Sequence, residues 1–250
     1  MVAGQDVVVN KGPHEHSFVL EVPVEGAVVE RLGEVDLYQR AGASGPLPAV
    51  VFVHGPVPAQ APARPRDWPV FEGYGRLAAT RGLVGVTIDL EYPGMAVWPA
   101  AAERLGQVVE AIRARPEVDA DRLALWAFSG GGMLVGRWLA DSPAWLGCVA
   151  LSYPLLRMPQ PPGAPPSPCD VLRPGRPIVL TRVGRERPEL QATVDAFLAR
   201  AAAVDAAVEV IDVPDGQHGF DALDHAPWSR DAVTAAMDAV HGHLLGVGHG

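Results

Sequence analysis

From residue 48 to residue 245 the chain alternates short apolar runs with longer amphipathic ones, and that alternation leaves few folds open. PAVVFVHG (48–55) opens the pattern with a strand, 70–81 reads as a helix, LVGVTID (83–89) as a strand and 99–115 as a long amphipathic helix. Leu123 to Phe128 is a strand followed by a buried helix carrying Met133, Leu134, Val135, Trp138 and Leu139. A strand at 147–152, a strand PIVLTRV (177–183), a helix at 189–203, a strand VEVIDV (208–213) and a helix at 230–245 complete the series. The strands are apolar without a polar face, as expected of strands covered on both sides. Strand–helix alternation of this kind predicts an α/β fold with a mostly parallel central sheet and helices on both faces. Ahead of it, 16–22, 27–31 and 34–39 alternate with a period of two, with Gly26 and Gly33 at turns, which predicts an antiparallel strand region at the N-terminal end. No internal repeat interrupts the pattern, and 250 residues suit a single domain.

Charge narrows the partners. A net charge of −9 argues against nucleic acid and against an anionic membrane surface, and disfavours polyanionic substrates. Nineteen of the 20 basic residues are Arg, which with the abundant Ala and Pro is a matter of codon composition. Two cysteines, Cys148 and Cys169, make no disulfide framework. The N-terminal MVAGQDVVVNKGPHEH lacks the apolar centre of a signal peptide and no run reaches transmembrane length, so a cytoplasmic location is expected. Residues 153–177 are too short and too rich in Pro for a helical lid domain and are expected to form a rim loop over a pocket.

RLALWAFSGGGMLVG (122–136) sets Ser129 between a buried strand and three consecutive glycines. It matches G-x-S-x-G except that Ala127 stands at the first Gly. In such a turn the serine hydroxyl is lifted clear of the backbone between small neighbours. The glycines let the helix N-terminus approach a ligand, with the Gly130 N–H free to face negative charge. A phosphate-binding P-loop requires a Lys that this turn lacks, since Lys11 is the only lysine of the chain. The dinucleotide fingerprint fails at Val135.

In an open parallel sheet, ligands bind beyond the carboxyl ends of the strands. HG at 54–55, GRERPEL at 184–190 and PDGQHGFD at 214–221 follow predicted strands there. With the elbow at Ser129, these motifs make the chain from about residue 45 onward resemble the α/β-hydrolase superfamily. The branch is that of dienelactone hydrolases and prolyl-oligopeptidase-like serine esterases. The resemblance implies an α/β-hydrolase fold without a large lid domain. It also implies a triad in the order Ser129, acid, His218. His218 would take the serine proton, and a carboxylate would hold its tautomer. Relatives commonly carry Asp shortly after the loop glycine, whereas this chain has Glu186 and Arg187. Glu186 is the expected acid, with Glu189 the alternative at the helix start. The oxyanion hole is expected at the Gly130 N–H and at a second N–H from the loop after HG. Many relatives use the residue directly after HG, here Pro56, which has no N–H. Pro58 has none either, leaving Val57. His54 is expected to support its turn. HEH at 14–16 and HGH at 241–243 lie away from strand ends, so no metal site is expected, and no cofactor is implied.

Together these readings predict a serine hydrolase that cleaves a carboxylic ester or lactone through an acyl-enzyme. Tyr92, Trp98 and Tyr153 would line a pocket for a small or medium apolar acyl or aryl substrate. Two other readings use the same residues: an acyltransferase or cyclase of a biosynthetic pathway, and a non-catalytic binding protein on a hydrolase scaffold.

Overall fold

In a computed structural model, which describes residues 12–23, 25–159 and 166–246, eight strands form one sheet in the order β1-β2-β4-β3-β5-β6-β7-β8. β1 (Ala27–Leu32) and β2 (Val35–Arg40) are antiparallel, and β2 runs antiparallel to β4 (Val84–Ile88). From β4 onward every pairing is parallel, through β3 (Leu47–Val53), β5 (Val118–Phe128), β6 (Leu146–Ser152), β7 (Ile178–Arg185) and β8 (Val208–Gln217).

The apolar runs are buried on both faces because successive side chains point to opposite sides of a strand. Val51, Val53, Leu123, Leu125, Ala127, Val149 and Leu151 meet α2 (Trp98–Arg113), α3 (Gly136–Asp141) and α5 (Pro188–Val204). Their neighbours Val50, Phe52, Ala124, Trp126, Phe128 and Ala150 meet α1 (Pro69–Thr80) and α7 (Pro227–Leu245) on the other face. On that second face Tyr74 of α1 packs against Trp126 and Phe128 at ring-centroid distances of 5.1 and 4.9 Å. Each of α1, α2, α5 and α7 carries a proline in its first two positions, where the missing N–H costs nothing. The proline explains why α7 starts at Pro227, three residues before the apolar periodicity does.

Two expectations need correction. Residues 16–22 are not a strand. The Val19 N–H donates to the Asp221 carbonyl (3.0 Å) and its carbonyl accepts from Arg230 Nε (3.0 Å), so its backbone groups are spent outside the sheet. The segment after Ser129 begins as a 3-10 helix (Ser129–Val135) before α3. The described part of the Pro-rich segment after Tyr153 packs into the core. Leu155 N–H donates to the Ser129 carbonyl (2.9 Å), Leu156 and Leu172 are fully buried, and α4 (Pro168–Val171) packs with them. Residues 160–165 of the segment lie outside the described residues.

Candidate active site

Strands β5, β7 and β8 end side by side, and the three residues that follow them meet. Ser129 stands directly after β5, Glu186 after β7 and His218 after β8. Ser129 has φ +52°, a left-handed conformation costly for a residue with a Cβ. The fit of the turn against β3 holds it there. A Cβ at Gly131 would lie 2.5 Å from the Val53 carbonyl oxygen and 2.8 Å from that of His54, so only glycine lets the strands approach. Ala127 is tolerated at the first glycine of the motif because its methyl points into the packed core.

Ser129 Oγ is 2.8 Å from His218 Nε2, and His218 Nδ1 is 2.6 Å from Glu186 Oε2. An ionised carboxylate only accepts, so Nδ1 carries the proton and Nε2 presents its lone pair to the serine hydroxyl. Burial opposes the charge of Glu186, but the hydrogen bonds from His218 and from the Arg187 N–H (2.8 Å, to Oε1) outweigh it. Its carboxyl therefore sits below the ordinary glutamate range. Glu189 lies in the exposed first turn of α5 and does not join them. The His218 loop is closed by Gln217, whose N–H and side-chain amide both donate to Asp224 (3.1 and 2.6 Å).

The Gly130 N–H heads the 3-10 helix, where the first N–H groups lack a carbonyl within the helix. Gly55 and Pro56 pack beside it: a Cβ on Gly55 would stand 3.2 Å from the Gly130 nitrogen. Val57 does not supply the second donor. Its N–H is spent on the Tyr92 carbonyl at 2.8 Å, which ties the β3 loop to the β4 loop. His54 reinforces the same tie, donating from Nδ1 to the Gly55 carbonyl (2.6 Å) and accepting the Leu90 N–H at Nε2 (3.0 Å). Burial lowers its pKa to about 4, so the imidazole is neutral. This is the supporting role expected of it.

A cavity of about 460 Å³ opens over Ser129 and His218. Trp68, Val70, Phe71, Phe128, Tyr153 and Leu223 supply its apolar wall. Of the three aromatic residues expected there, only Tyr153 is present. Trp98 is buried in the core beneath α2, and the Tyr92 hydroxyl is 2.9 Å from Met95 Sδ and 3.3 Å from the Gly130 carbonyl, behind the turn. Asp221, also on the cavity wall, is the residue sequence reasoning passed over. It is 1% exposed and accepts hydroxyl hydrogen bonds from Tyr74 (2.8 Å) and Tyr153 (2.9 and 3.0 Å). Burial raises its pKa to about 6. Its signal was available: an Asp flanked by Phe220, Ala222 and Leu223 is a carboxylate that must find buried partners. Among the described residues no group of three His, Cys, Asp or Glu side chains is placed to hold a metal ion. His243 pairs with Glu209 at 3.7 Å.

The turn at Ser129 after β5, together with Glu186 and His218 after β7 and β8, sits on a sheet shared with known structures. The fold is that of the α/β-hydrolases. A thermostable esterase from Pseudomonas putida aligns with a TM-score of 0.70 at 18% identity, over 90% of this chain and 85% of its own. Thermogutta terrifontis esterase 2 aligns with a TM-score of 0.68 at 17% identity, over 90% and 96%. A candidate dienelactone hydrolase from Klebsiella pneumoniae aligns at 0.65 and 19% identity, over 84% and 92%. No family model matches the sequence, and no curated protein does either. No described helix is long and apolar enough to cross a membrane.

Proposed function

We propose that the protein is a serine hydrolase of neutral carboxylic esters or lactones, acting through an acyl-enzyme on Ser129. The observation that carries this is the hydrogen-bonded line Ser129–His218–Glu186 at 2.8 and 2.6 Å, opening into an apolar cavity. His218 takes the Ser129 proton as Oγ attacks the ester carbonyl. It returns that proton to the leaving alkoxide, then activates water for release of the acid. Glu186 holds the imidazole tautomer and offsets the charge that develops on it. The Gly130 N–H stabilises the oxyanion. Among the described residues no lysine or arginine lines the cavity, and its wall is largely aromatic and aliphatic, which favours an uncharged apolar acyl or aryl group. The structurally similar Thermogutta esterase 2 is known in forms phosphorylated by paraoxon and phosphoramylated by tabun, and the reagent class suits a test here.

A fluorophosphonate probe is expected to label the wild type and to leave Ser129→Ala unlabelled. Equal labelling of the mutant would remove Ser129 from the reaction. With Val57 N–H engaged by Tyr92, the oxyanion site has one backbone donor from the two expected residues, and loss of a donor typically costs ~10²–10³ in rate. That same hydrogen bond favours a second reading, a ligand-binding protein on this scaffold. A folded wild type that resists the probe would support it.

A further inference from the structure

We propose that Tyr153 and Asp221 form a positioning pair that holds the His218 imidazole between Ser129 and Glu186. The inference rests on the reading of His218 as the base. Two hydrogen bonds in the plane of the ring leave an imidazole free to lean out of that plane, so a third contact must fix its tilt. The Tyr153 ring supplies it, with its centroid 4.8 Å from that of His218 at an interplanar angle of 60°.

Tyr153 is itself held under strain. Its φ is +39°, in the left-handed region that aromatic residues rarely enter and keep only where the surroundings over-determine them. Its N–H donates to the Thr181 carbonyl (3.0 Å), and its hydroxyl reaches both oxygens of Asp221. Asp221 lies three residues after His218, beyond Gly219 at φ +78°, in the short helix α6 (Phe220–Leu223). The carboxylate therefore belongs to the same loop as the histidine it steadies. The Val19 N–H anchors that loop from the other side, and the Tyr74 hydroxyl on α1 also reaches the Asp221 carboxylate. Tyr153 faces His218 directly, whereas Tyr74 meets Asp221 without lining the cavity.

That difference supplies the test. Tyr153→Phe and Tyr74→Phe each delete one buried hydroxyl donated to the same carboxylate, so a purely structural role predicts matching effects. Positioning predicts that Tyr153→Phe loses ~10- to 100-fold in kcat for p-nitrophenyl butyrate, with KM little changed. Fluorophosphonate labelling should slow in parallel. Tyr74→Phe should lower Tm while keeping kcat. Equal kcat in the two folded variants would overturn the proposal. The proton on His218 Nδ1, followed by NMR, gives a readout independent of turnover. Its resonance should shift or broaden in Tyr153→Phe and persist in Tyr74→Phe, and an unchanged resonance in both also overturns the pair. A wild type that neither labels nor turns over would instead defeat the hydrolase reading, with the NMR comparison still deciding the positioning.

Discussion

Glu186 is held at both of its carboxylate oxygens. The residue follows the last position of β7, and its second carboxylate oxygen is occupied by the N–H of Arg187, the next residue. A carboxylate pinned at both oxygens can hold the orientation of the imidazole it faces. Glu186→Gln is expected to lower kcat by ~10⁴-fold with the fold intact, as loss of the acid does in a related triad. Glu189→Gln should leave turnover near wild type, and steady-state kinetics on the two variants separate them. Both carboxylates were readable as candidates from the sequence. What selected one was the length of β7, which places Glu186 at the strand exit and turns Glu189 outward at the start of α5. The Val57 expectation failed for a different reason. Eliminating prolines shows which residue can donate but not which carbonyl it meets, and the Tyr92 carbonyl is brought to it by a separate strand.

Among the elements, the turn from β5 to α3 is fitted closely against β3. The buried strand was legible from Leu123–Phe128, because six apolar residues in succession leave no solvent face. The winding after it was not legible, since 3-10 and α geometry share the same apolar spacing over one or two turns. Gly131→Ala is expected to force the turn away from β3, since its methyl would meet the carbonyl oxygens of Val53 and His54. The expected result is a lower Tm and slower probe labelling of Ser129, measured by thermal melting and by labelling rate. Wild-type values for both would show that the turn has room to spare. The N-terminal region shows the opposite limit of pattern reading. Residues 27–32 and 35–40 pair as the alternation predicts, while 16–22 alternates as well and is held by Asp221 and Arg230 instead. Periodicity reports which side chains are buried, not whether a neighbouring strand edge is available.

Across the whole molecule, two buried groups that line the cavity give stability opposing responses to acid. Asp221 binds its proton more tightly folded than unfolded, about 6 against an ordinary 3.8. Its contribution is full below the lower value and is lost as pH rises through about 6. His54 does the reverse, about 4 against 6.5, so its contribution is full above 6.5 and is lost as pH falls through about 4. Each difference of roughly two units corresponds to about 3 kcal/mol, and the two nearly cancel between pH 4 and 6. Urea denaturation across that window should therefore show His54→Asn gaining stability as pH falls, relative to wild type, and Asp221→Asn losing it. Parallel curves for all three proteins would contradict the assignment of these two groups.

The order of the strands has a consequence in time. Ser129 and His218 are 89 positions apart, and the histidine is delivered by β8, the last strand to be synthesised and an edge of the sheet. A growing chain holds its serine long before it holds a base, and β8 can dock only once β7 offers it a parallel partner. On the proposed reading an unfinished chain is chemically silent, its hydroxyl no more reactive than any other serine. Reactivity then waits for β8 to dock.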